Sequence, residues 1–270
     1  MDKVMYKGYN TPMGPSPAIW GECPILDLLI DPTQGMFFHE NWSKAGPFTS
    51  ATVSQGYLPY FDTGGSIAPS GTSLTSLTDG IISRMHFTTD TDQDDISALQ
   101  WGAGGVTNNL DSGKGTMWFE ACIQFSSITN GQIAWLVGLA EESCAADAIL
   151  AVDGADIADK DFVGFMVDSA DCDALDCIYQ TSGSAFTLDT TYSTALVAAT
   201  NIKVGMIFNP ADAQNMLHWF VNGVKIADVS VEGSGFPDGE EVSPLFAVET
   251  IDNSTAVTFD VGWWRIAQLY

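Results

Sequence analysis

Leu217-His218-Trp219-Phe220-Val221-Asn222-Gly223-Val224-Lys225-Ile226-Ala227-Asp228 reads as a β-hairpin, and its reading decides the fold. Asn222-Gly223 supplies the two positive-φ residues of a type I′ turn, whose twist matches that of two flanking antiparallel strands. A two-residue loop sets Val221 against Val224, Phe220 against Lys225, Trp219 against Ile226 and His218 against Ala227. Alternation then gathers Leu217, Trp219, Val221, Val224 and Ile226 on one apolar face. Such a face needs a second layer over it, which predicts an all-β, two-sheet antiparallel β-sandwich. His218, Phe220 and Lys225 fall on the opposite, mixed face.

Working outward, Ile81–Phe87, Thr116–Phe125, Gln132–Ala140, Phe162–Asp168, Ile202–Phe208, Pro244–Ile251 and Ala256–Ile266 all carry strand patterns. The spacing predicts that Thr116–Phe125 and Gln132–Ala140 pair through a turn at 127–131. Residues 141–160 form a long Ala- and Asp-rich excursion with room for a short helix. Phe162–Asp168 is apolar throughout, as a strand buried on both faces should be. Residues 46–270 are expected to form the sandwich.

Residues 1–45 differ. Pro12, Pro15, Pro17, Pro24 and Pro32 interrupt any ladder or helix, while the apolar residues between them suit a surface to lie on. Two readings stand for this extended N-terminal arm: it wraps its own sandwich, or it docks on a neighbouring subunit through Tyr6, Tyr9, Trp20, Phe37 and Phe38.

Nine Lys and Arg against 34 Asp and Glu give a net charge of −25. Such a chain repels phosphate backbones, so direct nucleic-acid binding is excluded. The N-terminal residues lack the apolar core of an export signal and no 18 apolar residues run together, so a cytosolic product off the membrane is expected. Cys23, Cys122, Cys144, Cys172 and Cys177 match no zinc spacing. They read as reduced thiols, with a Cys172–Cys177 pair as the alternative.

Chemistry is sparse. Asp90, Asp92 and Asp94 alternate as calcium ligands do, but from Asp90 the sixth and twelfth positions of an EF-hand loop hold Asp95 and Trp101 in place of Gly and Glu. A solvated acidic turn is the first reading, and calcium in a loop site the alternative. Glu120 stands alone in its strand, and a solvent-facing carboxylate is expected there. Glu-x-Asp-x-x-Glu, His-Glu-x-x-His and Gly-x-Ser-x-Gly are all absent, so neither a catalytic residue nor a cofactor is assigned. Trp42 and Trp101, read as loop residues, are the candidates for stacking on a glycan.

Asp79-Gly80-Ile81-Ile82, Met117-Trp118-Phe119-Glu120-Ala121, Val137-Gly138-Leu139-Ala140-Glu141, Val163-Gly164-Phe165, Trp219-Phe220-Val221-Asn222-Gly223-Val224 and Pro244-Leu245-Phe246-Ala247 occur in an order that resembles tailed-phage virion proteins with a concanavalin A-like, or laminin-G-like, jelly roll. The resemblance implies a non-enzymatic structural protein of a bacteriophage, a decoration or minor capsid protein outside the shell. Its partners would be the major capsid protein and further copies of itself, as a homo-oligomer or in multiple copies on the capsid. A carbohydrate-binding, lectin-like receptor module is the alternative. In glucanase relatives the face of His218, Phe220 and Lys225 would hold a cleft.

Overall fold

The computed structural model describes residues 8–48, 55–62, 64–70, 83–102, 108–110, 113–147, 149–150, 154, 156–210, 215–232, 235–252 and 254–270. The first half holds α1 (Pro17–Trp20), α2 (Ile25–Ile30), β1 (Gly35–Glu40), β2 (Tyr57–Phe61), β3 (Ser66–Ser70), β4 (Arg84–Thr88), β5 (Asp95–Trp101), β6 (Asn108–Asn109), β7 (Met117–Phe125) and β8 (Ile133–Glu141). A 3₁₀ turn at Cys144–Asp147 precedes β9 (Phe162–Val167), β10 (Asp176–Gln180), β11 (Thr187–Thr191), β12 (Ile202–Asn209), β13 (Met216–Val221), β14 (Val224–Ser230), β15 (Glu241–Thr250) and β16 (Thr258–Leu269). The asparagine and glycine of the 222–223 turn have φ of 51° and 73°, as a type I′ turn requires.

Two antiparallel sheets face each other. Sheet A runs β14-β13-β12-β7-β16-β4-β3, with β1 also paired to β16; sheet B runs β11-β10-β9-β8-β15-β5-β2, with β6 on β15. The inward residues Met117, Phe119, Ala121, Ile123 and Phe125 of β7 meet Ile133, Trp135, Val137 and Leu139 of β8 in one core. These two strands do not pair as the spacing predicts: β7 lies between β12 and β16, and β8 between β15 and β9. The reason is visible in the rings, because Phe125 stacks on Trp135 across the sandwich at 5.5 Å. The connection carries the chain from one sheet to the other.

The hairpin register also departs from its ideal form. Val221 opposes Val224 and Phe220 opposes Lys225, but Trp219 then opposes Ala227 and His218 opposes Asp228. Ile226 is the extra residue of a β-bulge. Leu217, Trp219 and Val221 keep their core places, whereas Val224 is left 61% exposed and Ile226 half-buried.

Both outer faces are covered. On sheet B, Cys144, Ala145, Ile149, Leu150 and Ile157 of the 141–160 excursion pack over Leu136, Phe162, Met166, Ile178, Leu245 and Ala247. That cover is why every residue of β9 is buried. On sheet A, Ile19, Trp20, Cys23 and Leu28 of the arm pack over Trp118, Phe220 and Ala267. Gly205 makes room for them, since a β-carbon there would lie 2.5 Å from Ile19 Cδ1 and 2.8 Å from the Phe119 carbonyl.

The arm therefore wraps its own sandwich. Trp20 is fully buried, Phe37 is half-buried edge-on to it at 6.0 Å, and Phe38 lies against Trp101 at 4.6 Å and Trp264 at 5.0 Å. Burial removes Trp20 from the expected partner contacts, and the packing of Phe38 into the intersheet core removes it as well. Tyr9 is exposed, and Tyr6 lies outside the described residues. Trp42 and Trp101 are core residues as well, the first packed on Tyr57 at 5.4 Å and the second ending β5, so neither offers a stacking surface. All five cysteines are buried free thiols, and Cys172 and Cys177 do not pair. No helix among the described residues is long and apolar enough to cross a membrane.

Candidate functional site

Glu120 is the first surprise on the outer face of sheet A. Expected in solvent, it is fully buried beneath the arm, where Oε2 accepts the Ser16 backbone N–H at 3.0 Å and Trp20 Nε1–H at 2.6 Å. Burial pushes its carboxyl pKa up, against the lowering effect of those bonds and of Lys203. Lys203 sits diagonally across from it, because Gly205 opposes Glu120 and Lys203 opposes Cys122. Only 1% exposed, Lys203 donates from Nζ to Asn10 Oδ1 at 2.7 Å and to the carbonyls of Thr11 at 2.7 Å and Gly14 at 2.8 Å. Burial pushes its ammonium pKa down.

A cleft of about 290 Å³ opens at this junction between Asn10, Thr11, Pro12, Asn201, Lys203 and Asn222. Three elements build it: the arm, the start of β12 and the hairpin turn. Asn10 Nδ2 donates to the Asn222 carbonyl at 2.9 Å, the Lys203 N–H to Asn222 Oδ1 at 3.0 Å, and Arg84 Nη1 to Asn201 Oδ1 at 2.7 Å. Among the described residues, no hydrogen bond uses Nδ2 of Asn201 or Asn222, so two amide donors remain for a ligand. A second chamber of about 170 Å³ adjoins, sharing Asn201 and Asn222 and walled by Phe125, Tyr192, Leu196 and Ile202.

The acidic turn has a different geometry from the alternation in the sequence. Asp90, Asp92 and Asp95 bring carboxylate oxygens within 4.8 Å of one another. Asp94 is outside the group; it has φ of 64° and its backbone N–H is tied to the Thr250 carbonyl at 2.7 Å. The Asp95 carboxyl pKa is raised by burial and by the charges of Asp62, Asp90 and Asp92. Three carboxylates supply part of the six to eight oxygens that calcium takes.

The central outward positions of sheet B are apolar and covered, and the Glu120 carboxylate beneath the arm faces no second carboxylate across an open cleft. On the hairpin's outer face Phe220 is buried under the arm, while His218 Nδ1 and Lys225 Nζ both meet Asp228 at the surface, at 2.5 Å and 2.7 Å.

With this geometry in hand, comparison with solved structures is informative about architecture. A protein of unknown function from Shewanella oneidensis superposes with a TM-score of 0.57 at 8% identity, over 88% of this chain and 87% of its own. Peanut lectin gives 0.55 at 12% identity, over 88% and 99%. The Bacillus licheniformis β-glucanase gives 0.51 at 14% identity, over 85% and 97%. The fold is the concanavalin A-like jelly roll. No family model matches the sequence, and no curated protein sequence matches it either. At these identities the likeness concerns the jelly roll alone, which lectins and glucanases share.

Sequence reasoning gave Lys203, Asn10 and Asn201 no role in a site and read Asn222 as a turn residue alone. One signal was present: a lysine inside Ile202-Lys203-Val204-Gly205-Met206, where a charge interrupts an apolar strand.

Proposed function

We propose that this jelly roll is a non-catalytic carbohydrate-binding module that takes a neutral saccharide in the cleft at the arm junction. The observation that carries the reading is the pair of uncommitted amide donors on Asn201 and Asn222, set between a polar cleft and a chamber walled by apolar and aromatic side chains. Sugars combine hydroxyl oxygens with apolar C–H faces, and pockets with a few placed polar groups among apolar walls suit them. A net charge of −25 disfavours anionic glycans. Peanut lectin and the Emp47p carbohydrate recognition domain, with TM-scores of 0.55 and 0.54, carry the same fold and support the reading by analogy.

A glycan array probed with the full chain, with and without calcium, tests it. Retention of a neutral glycan, weakened about tenfold or more by N201D or N222D, is expected, because each removes an amide donor while keeping the acceptor oxygen. No retained glycan in either condition overturns it.

A second reading is favoured by the arm. Leu26, Leu29 and Ile30 of α2 are 44%, 62% and 73% exposed, an apolar strip on a strongly acidic protein. It suits a structural component outside a phage shell, made in the host cytoplasm and seated on the major capsid protein or on other copies of itself. Mass spectrometry and cryo-electron microscopy of purified particles should then find the chain at fixed copy number with α2 in contact; absence from particles ends this reading.

A further inference from the structure

The junction beneath the cleft contains more than a binding surface needs. Lys203 Nζ lies 2.7 Å from Asn10 Oδ1, and a C=O bond of about 1.2 Å places that amine within about 4 Å of the amide carbon Cγ. The amide is oriented from its other side, since Nδ2 donates to the Asn222 carbonyl. A buried acid stands by: Glu120 is fully buried, and its Oε1 has no hydrogen-bond partner. The fully buried Ser16 hydroxyl is a neighbour of that carboxyl and lowers its pKa by hydrogen bonding. Ser16 Oγ and Asn10 Oδ1 each stand 2.7 Å from the point that a β-carbon on Gly223 would occupy, so both converge on the hairpin turn. An amine and a carboxamide are thus in contact, with a buried hydroxyl and a buried acid beside them.

We propose that Lys203 and Asn10 form an intramolecular isopeptide bond, with Glu120 moving protons through Ser16. Nζ, an ammonium while it donates to three oxygens, first gives one proton by way of Ser16 to the Glu120 carboxylate, and the neutral amine then attacks Cγ of Asn10 to form a C–N bond. Glu120 returns that proton by way of Ser16 to Nδ2, the Cγ–Nδ2 bond breaks, and the leaving ammonia takes the second Nζ proton and departs as ammonium into the cleft that Asn10 and Lys203 both line. The exchange of one amide for another is redox-neutral and needs no cofactor. Burial drives the lysine toward its neutral amine and Glu120 toward its protonated acid, the states that the step requires. Glu120 is a positioning and proton-relay residue, because it reaches the amide only through Ser16. The product would fasten the arm at residue 10 to the middle of sheet A, independently of any saccharide in the cleft.

Intact-mass measurement of the denatured full-length chain, followed by peptide mapping, tests the inference. The expected result is loss of one ammonia and a branched peptide joining residues 10 and 203. N10A and K203R should each restore the mass of the sequence. A succinimide at Asn222-Gly223 also loses ammonia but yields no branched peptide, so the map decides between them. With E120Q, which keeps the side chain's shape, a chain folded by circular dichroism should lose ammonia at least tenfold more slowly after refolding. Asn10 and Lys203 recovered on separate linear peptides from the wild-type chain would overturn the bond; a wild-type rate in folded E120Q overturns the role of Glu120.

Discussion

Two titratable side chains show how this protein handles polarity at the scale of a residue. Glu120 is tolerated in an apolar layer because the arm brings it two donors, Ser16 N–H and Trp20 Nε1–H. E120A would leave both donors buried and strip Lys203 of its counter-charge, so a loss of roughly 3–5 kcal/mol is expected from urea unfolding. A result under about 1 kcal/mol would mean that the arm is not seated there. His86 illustrates the opposite, half-exposed case. Its Nδ1 lies 2.8 Å from Asp260 Oδ1, a contact that raises the imidazole pKa against the lowering effect of burial. A raised folded pKa means that the stabilisation is complete below the unfolded value of about 6.5 and is lost as pH rises through the folded value. D260N should move the His86 titration downward in an NMR pH series and abolish this stability slope. An unchanged midpoint would show that Asp260 does not set it.

At the scale of elements, the hairpin turn serves two structures at once. Gly223 has φ of 73°, and a β-carbon there would press within 2.7 Å of Asn10 Oδ1 and Ser16 Oγ; Gly183 has φ of 85° with nothing within 4 Å. Both G223A and G183A should suffer the left-handed backbone penalty of about 1 kcal/mol, but only G223A should also disturb the arm. Guanidinium unfolding midpoints compare them, and equal losses would deny the contact. The pair also marks the boundary of what the sequence reveals. Asn222-Gly223 and the period-two runs around it encode turn and strands locally, so the sandwich was legible. The bulge at Ile226 was not, because it depends on which residues meet Trp219 and His218 across the ladder. Nor was the burial of Glu120, whose donors lie 104 and 100 residues away in a segment without periodicity. Trp42 and Trp101 misled for the same reason: a tryptophan in a turn-rich stretch looks exposed until another strand's aromatic rings, here Tyr57 and Trp264, are brought to it.

Over the whole molecule, a jelly roll with both outer faces covered differs in consequence from one with an open face. The excursion after β8 and the arm before β1 each bury an apolar outer layer, so neither is an appendage to a finished sandwich. Removing residues 2–34, which spares β1, would expose Trp118, Phe220 and Ala267 together and leave Glu120 and Lys203 without the arm's donors and acceptors. Burying a large apolar side chain is worth roughly 1.5–3 kcal/mol, so exposing the Trp118 and Phe220 rings removes a large fraction of the roughly 5–15 kcal/mol that stabilises an ordinary domain. The truncated chain should therefore bind a hydrophobic dye, lose near-ultraviolet circular dichroism at a temperature well below the full chain, and associate despite its negative charge. If it instead melts at the full-length temperature without binding dye, the sandwich closes its own outer face, and the arm is free to serve a partner.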